Sequence, residues 1–412
     1  MANLEHLNVM ISVENAINII TNEATQLKDE KISIDKCLGR ITSINIYANI
    51  NNPPKNVSSM DGYALSLASL KSLNSLPIKI IGESAAGKPF NKSVKNNECI
   101  EIYTGAEIPK GLDIILLQER VKLNNGYIVS TDQNYKQSQY IRKKGSNFKK
   151  GSLLLKKNNI VTARALGLII SSDHTHIKVF KKLKIAILAS GNELRKAGSI
   201  YKNGIISSNT LLLKSVIESF GGETYDLGIA RDNSSSIMRK LEKITKYNIL
   251  ITTGGASVGK HDLIKKVLEN LGMKTIFWKV AMRPGKPLIF GKLKKTLILG
   301  FPGNPVSTYV SALIFLKPLI NKYNKIINNN EYKFGILNKP LIKNDERQEY
   351  LRSEVYLKDN KYFLSPVSAQ DSSMTSSLSR AQGLIIRKPF AKALNKGNKV
   401  LFILFSDMHT LI

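Results

Sequence analysis

The period of the apolar positions changes several times along this chain, and each change marks an element of its architecture. Val13, Ala16, Ile17 and Ile20 recur at helical spacing behind Ser12, which predicts a short capped helix from Val13 to about Thr21. Residues 31–50 (KISIDKCLGRITSINIYANI) switch to alternating, β-branched positions, the pattern of strands around a turn at Gly39. Asn51-Asn52-Pro53-Pro54 then breaks regular structure, because adjacent prolines offer the backbone no donors. From 55 to 150 the apolar runs are short and separated by Gly and turn residues, so a mainly β segment is expected.

From Lys184 the pattern becomes an alternation of strands and helices. KIAILAS (184–190) reads as a strand buried on both faces. A helix starting at Ser208 or Asn209 stops at Gly221-Gly222, and a strand follows over 223–228. Asn233 or Ser234 caps a helix to about Lys246; a strand from Asn248 to Thr252 leads through a Gly-rich loop into a helix from Asp262 to Leu271. The strands MKTIFWKV, LIFGKL and TLILG and an apolar helix from Pro305 to Tyr323 complete the unit. This order predicts a doubly wound parallel sheet. After about residue 330 short strands return, ending in KVLFILF, and a small C-terminal β domain is inferred.

The 412 residues exceed one ordinary core, so several domains are expected, and a hydrophobic content of 42% suits globular packing. No apolar run approaches the ~18 residues of a membrane span. The first residues carry Glu5 and Glu14 without a continuous apolar stretch, unlike a secretion signal. Cys37 and Cys99 form no CxxC, which argues against a disulfide framework or a zinc ribbon. A soluble cytoplasmic protein is the expectation. The net charge of +30 is spread as scattered lysines, with no arginine-rich arm, so no specific nucleic-acid partner and no membrane partner is expected. Such a field still attracts small anions.

In an open α/β sheet the ligand site lies beyond the carboxyl ends of the strands, and three loops there carry unusual residues. The loop after KIAILAS offers Glu193. The loop TTGGASVG (252–259) contains Gly254, Gly255, Ser257 and Gly259, which let backbone amides and hydroxyls approach an anion. From Gly254 to Lys260 it spells GxxxxGK, but His261 stands where a P-loop needs Ser or Thr, and the loop follows about the third strand. The P-loop NTPase reading therefore fails on context. FPGNPVS (301–307) places Pro305 at a helix start beside Pro302, Asn304 and Ser307. Together the three loops favour a phosphate-bearing ligand. RPGKP (283–287) holds Arg283 and Lys286 in a rigid turn suited to a compact oxyanion. Asp61, Glu193, Asp232 and Asp262 could hold Mg²⁺ against phosphates, although Asp232 could equally cap its helix. His174 and His176 read as surface residues, and Trp278 as core.

SSMDGYA (58–64), TGAEIPKGLDIILLQE (104–119), SGNEL (190–194), TTGGASVGKHD (252–262), RPGKP and FPGNPVS occur in one order along the chain. In that order they resemble the molybdopterin molybdenumtransferases, the MoeA family, which includes the C-terminal half of gephyrin. LRSEV (351–355) and AQDSS (369–373) extend the similarity through the C-terminal domain. The resemblance implies a central MoaB/MogA-like molybdopterin-binding α/β domain (181–329) with mainly β accessory domains. These are a linker or dimerisation domain (27–50 with 150–180), a second domain (51–149) and a C-terminal domain (330–412). The first 26 residues would pack on the linker or the α/β domain.

The implied molecule is an elongated homodimer that inserts molybdate into adenylylated molybdopterin, with Mg²⁺-dependent release of AMP. Glu193, Asp232 and Asp262 match family acids near nucleotide and metal, and Asp61 and Thr104 match residues brought by the partner subunit. Arg142 belongs to an RxxGxD-like stretch of that cleft, and Arg283, Lys286, Pro287, Ser307, Arg352 and Ser372 match the molybdate pocket. A molybdopterin adenylyltransferase and recipient molybdoenzymes are the implied partners. Lys260 stands where an acid is usual, Asn147 and Asn192 where Asp is common, and Asp371 where Gly is common. A non-catalytic scaffold of the same fold is the alternative that these departures keep open.

Overall fold

The computed structural model describes residues 10–73, 76–130, 135–200, 203–254, 263–326 and 332–408. The first helix, Val13–Asn22, begins where Ser12 Oγ accepts from the Asn15 amide at 3.1 Å, a cap that contributes about 1 kcal/mol. Its apolar stripe of Val13, Ala16 and Ile20 packs into the core of the central α/β layer. Next, Asp29–Ser33 pairs antiparallel with His176–Phe180, and Ile46–Tyr47 with Leu153–Leu155. Chain from both sides of residues 51–149 thus shares one small core around Cys37, Ile46, Val161, Ile169, Ile177 and Val179. Between them, strands from Gly62–Leu65 to Tyr127–Ser130 form a six-stranded mixed sheet with one short helix, Leu67–Ser72.

The central sheet runs in the order Glu223–Ala230, Lys184–Ser190, Ile249–Thr253, Thr296–Phe301, Pro287–Leu293, Lys274–Lys279. The first four strands are parallel, as the doubly wound pattern predicts, and the last two add an edge that runs antiparallel to its neighbours. The reason is local: Lys294 and Lys295 join two of these strands as a tight hairpin turn, too short for a crossover helix. Helices Val13–Asn22 and Asn209–Ser219 and the 305–324 segment cover one face; Ser234–Leu241 and Leu263–Asn270 cover the other.

The apolar helix expected from Pro305 to Tyr323 is not uniform. It runs as Pro305–Ser311, a wider π-turn Ala312–Leu316 and then Lys317–Asn324. Pro318 has no N–H to donate to Ile314, so the regular ladder must open just before it. Trp278 is also not core: it is half-buried on the edge strand, with Lys265 Nζ and Lys279 Nζ at 4.6 and 4.5 Å from its ring centre.

The C-terminal strands close into a small barrel, because Gln348–Lys358 pairs both with Lys361–Pro366 and with Gly383–Arg387. Met282–Arg283, from the loop that leaves the central sheet, adds in parallel to Gln348–Glu349 at the barrel's edge. The barrel and the α/β layer therefore share a strand pairing. Among the described residues no helix is long and apolar enough to cross a membrane.

Candidate active site

The carboxyl ends of three parallel strands, Lys184–Ser190, Ile249–Thr253 and Thr296–Phe301, converge on one cleft of about 280 Å³. Its walls include Ser190, Glu193, Gly254, Gly303, Asn304 and Ser373. Gly254 lies at φ +82°, and a β-carbon there would stand 2.3 Å from the Ser190 carbonyl oxygen. Only glycine lets these two strand ends approach so closely. Gly303 follows on the neighbouring strand, its carbonyl accepting from Asn209 Nδ2 at 2.6 Å. Pro302 carries the carbonyl that accepts from Thr308 Oγ1 at 2.7 Å, which fixes the turn into the helix Pro305–Ser311.

Asp232 does not cap its helix, since the Asn233 side chain does so by accepting from the Ser236 amide. The Asp232 carboxylate instead accepts from Ser190 Oγ at 3.1 Å and from the Asn192 amide at 3.0 Å. Asn192 returns the contact, its Oδ1 accepting from the Asp232 amide at 3.1 Å. This clasp ties the 190–194 loop to the next strand end. Glu193 beside it is exposed, with its carboxylate folded back over Gly191.

The barrel supplies the opposite wall. Asn304 Nδ2 donates to Ser372 Oγ at 2.7 Å, and the Val306 amide donates to the Ser372 carbonyl at 3.1 Å. Ser372 and Ser307 are thus brought to the same end of one helix, Ser307 being buried and Ser372 half-buried. Arg352, only 1% exposed, sits beneath. Its two terminal nitrogens donate to the carbonyls of Asp371 and Ala369, both at 3.0 Å, so it shapes the 369–373 loop and does not stand open to an anion. Burial pushes its pKa down.

Arg283 likewise faces protein carboxylates, Asp345 at 2.5 Å and Glu349 at 3.3 Å. Lys286, in the same loop, is exposed, and Pro287 begins the next strand half-buried.

Asp61 and Thr104 meet in a second place, away from this cleft. Asp61 Oδ1 accepts from the Thr104 amide at 2.6 Å and from its hydroxyl at 2.8 Å, and these bonds hold the carboxyl pKa below its ordinary value. Arg142 is exposed on a two-residue strand paired with Val57–Ser58, just before Asp61. Among the described residues, none that lines the cleft comes from this segment of the same chain.

Gly255, Ser257, Gly259 and Asp262 lie outside the described residues, as do Lys260 and His261. Among the described residues no group of three or more His, Cys, Asp or Glu could hold a metal ion. His174 and His176 make separate contacts, to the Tyr47 carbonyl and to Thr175.

Known proteins resemble this chain in sequence and overall fold. Residues 11–172 match the family model described as MoeA N-terminal region (domain I and II). Residues 186–322 match a probable molybdopterin binding domain, and 335–405 the MoeA C-terminal region (domain IV). A molybdopterin molybdenumtransferase of Haemophilus influenzae is 36% identical over 295 residues, 71% of this chain and 72% of that protein. The chain belongs to the MoeA family of molybdopterin molybdenumtransferases. The Bacillus subtilis member is 27% identical across 96% of this chain and 94% of its own length. A molybdopterin biosynthesis MoeA protein from Pyrococcus horikosii superposes with a TM-score of 0.81 at 27% identity, covering 96% of this chain and 99% of that one.

Seen within the MoeA family, the departures have distinct settings. Asn192 is half of the clasp with Asp232. Asp371 turns to its own loop, accepting from the Ser373 amide and hydroxyl at 2.8 and 2.5 Å; these bonds lower its pKa, so the acid stays charged close to Ser372. Asn147 is exposed. Sequence reasoning passed over Ser190, Asn209, Asp345 and Glu349. Asn209 had a signal, as a polar residue at the very start of a helix. Ser190 and Glu349 acquire their roles through partners distant in sequence, and Asp345 joins its neighbour Arg347 to the distant Arg283.

Proposed function

We propose that this chain inserts molybdate into the dithiolene of adenylylated molybdopterin and releases AMP, in molybdenum-cofactor biosynthesis. The observation that carries the reading is the Asn304–Ser372 contact, which closes the α/β cleft with a wall from the barrel. That places phosphate-friendly glycines and an exposed carboxylate on one side and serine hydroxyls on the other. Lys286 is the loop cation for a tetrahedral dianion, with Ser307 and Ser372 as hydroxyl donors and Arg352 holding the 369–373 loop of Ser372 in shape. Gly254 and Gly303 let backbone approach the ligand, and the fixed walls orient the oxyanion beside the dithiolene.

Magnesium fits the acids present. Each Asp232 oxygen accepts one hydrogen bond and keeps coordination capacity, and Glu193 is exposed beside it. Hard cations prefer such carboxylates combined with substrate oxygens. Glu193 and Asp232 would hold Mg²⁺ together with Asp262, and the bound ion supplies charge neutralisation at the phosphates.

The acting form in this reading is a cytoplasmic homodimer. Asp61, Thr104 and Arg142 contribute nothing to their own chain's cleft, and they would complete the partner's. A molybdopterin adenylyltransferase would supply the substrate, and molybdoenzymes would take the product. The test is AMP release from adenylylated molybdopterin, with and without molybdate and Mg²⁺. Molybdate-dependent release that disappears in Glu193→Ala supports the reading. Tight binding without release would return the protein to the scaffold alternative.

A further inference from the structure

The RPGKP loop is attached to the barrel by a strand pairing and by charge. Arg283 pairs in register with Glu349, and Glu349 on its other side pairs with Arg387. One carboxylate therefore stands between arginines on two neighbouring strands. Arg283 Nη1 lies 3.3 Å from Glu349 Oε1, and Arg387 Nη1 lies 3.5 Å from Glu349 Oε2. Glu349 and Arg387 are 6% and 3% exposed. The other terminal nitrogen of Arg283 reaches Asp345 at 2.5 Å, and Asp345 is shared with Arg347 at 2.5 Å. Both terminal nitrogens of Arg283 are thus engaged by the barrel.

The next residues carry that attachment onto the helix Pro305–Ser311. Gly285, at φ +112°, is packed so that a β-carbon would meet Met282 Cε at 3.2 Å and Ser311 Oγ at 3.3 Å. Ser311 is one helical turn beyond Ser307, so the loop rests on the helix whose first turn meets Ser372. Lys286 follows directly, exposed and without an ion-pair partner among the described residues.

We propose that Glu349 and Asp345 are positioning residues for oxyanion capture: they hold Arg283 as a strut between the α/β sheet and the barrel, and so aim Lys286 at the oxyanion. The proposal rests on the reading of RPGKP as part of the molybdate pocket. It assigns Arg283 to attachment and Lys286 to recognition. It also opposes what simple charge arithmetic expects, because removing a carboxylate beside the pocket raises the local positive field and should strengthen dianion binding.

The experiment uses the full-length protein with Asp345→Asn and Glu349→Gln, which remove charge and keep shape. The readouts are kcat and the KM for molybdate in AMP release, equilibrium dialysis of molybdate, and amide exchange at Gly285 and Lys286. Each variant is expected to raise the molybdate KM about ten-fold while the KM for adenylylated molybdopterin changes less than about two-fold. Exchange at Gly285 and Lys286 should accelerate in parallel. Asp345→Glu should recover most of the affinity, and Arg283→Gln should be non-additive with Asp345→Asn.

An unchanged or lowered molybdate KM, or unchanged exchange, overturns the proposal. Should Glu349→Gln fail to fold because buried Arg387 loses its counter-charge, Asp345→Asn, whose side chain is 33% exposed, decides alone. A wild type without molybdate-dependent AMP release refutes the functional reading itself. Dialysis and exchange then still decide the strut.

Discussion

Replacing Gly254 by alanine separates the shape of the cleft from the stability of the fold. At φ +82° a β-carbon costs about 1–2 kcal/mol for the left-handed backbone alone. The methyl would also stand 2.3 Å from the Ser190 carbonyl oxygen. Ordinary contact begins near 3.4 Å, so the two strand ends must part by about 1 Å. The obstructing atom is backbone, and no rotamer change can relieve it. A misplacement of that size at a reacting centre costs about 10²-fold in rate. Gly254→Ala should therefore lower the kcat of molybdate-dependent AMP release about 100-fold. In calorimetry its melting transition should fall by about 2–8 °C. The control is Gly303→Ala, one strand away, where the β-carbon would meet Gly254 Cα at an ordinary 3.6 Å and φ is not positive. Its Tm should stay within about 1 °C of wild type. A wild-type rate in Gly254→Ala, or equal destabilisation by the two substitutions, would refute the reasoning.

Four further outcomes are expected. Glu193→Gln should keep its Tm within about 1 °C, because the side chain is exposed, yet lose at least about 100-fold in AMP release; retained activity would remove Glu193 from the site. Mixing inactive Asp61→Asn and Glu193→Gln protomers should restore up to about a quarter of wild-type activity if each site is shared between subunits, and none if it is not. Arg352→Lys should destabilise the protein by about 2–3 kcal/mol in denaturant unfolding, because one ammonium cannot reproduce the forked donation to Ala369 and Asp371. Asp345, held by Arg347 and Arg283, has its pKa depressed from 3.8 to about 2. Its contribution to stability is thus complete above about pH 4 and is lost as pH falls through 2. A carboxyl NMR titration midpoint near 4 would contradict the ion pairing.

Much of the fold is readable along the chain because its signals are local. Ser12, Asn233 and the apolar run 184–190 each sit where capping chemistry or two-sided burial requires them. The elements of the α/β layer follow from period alone, and the family follows from motifs whose order survives any rearrangement in space. The antiparallel edge of the central sheet was missed because strand direction depends on how tightly Lys294 and Lys295 turn, which periodicity does not report. The site divides in the same way. Gly254 and Pro305 are recognisable in sequence since glycine and proline encode backbone shape directly. Arg283 and Arg352 are recognisable as cations, but composition cannot say which way a guanidinium points.

By itself, then, the chain determined its elements and its family, and it named candidate residues for an oxyanion or a phosphate. Only tertiary structure decided which cations are spent on the protein's own carboxylates and carbonyls and which acid is clasped. Those outcomes rest on pairings across long stretches of chain, Arg283 with Asp345 and Glu349, Arg352 with the 369–371 backbone, and Ser190 with Asp232. A charged group's partner is set by distance in space and desolvation, and neither is encoded in its neighbours along the sequence.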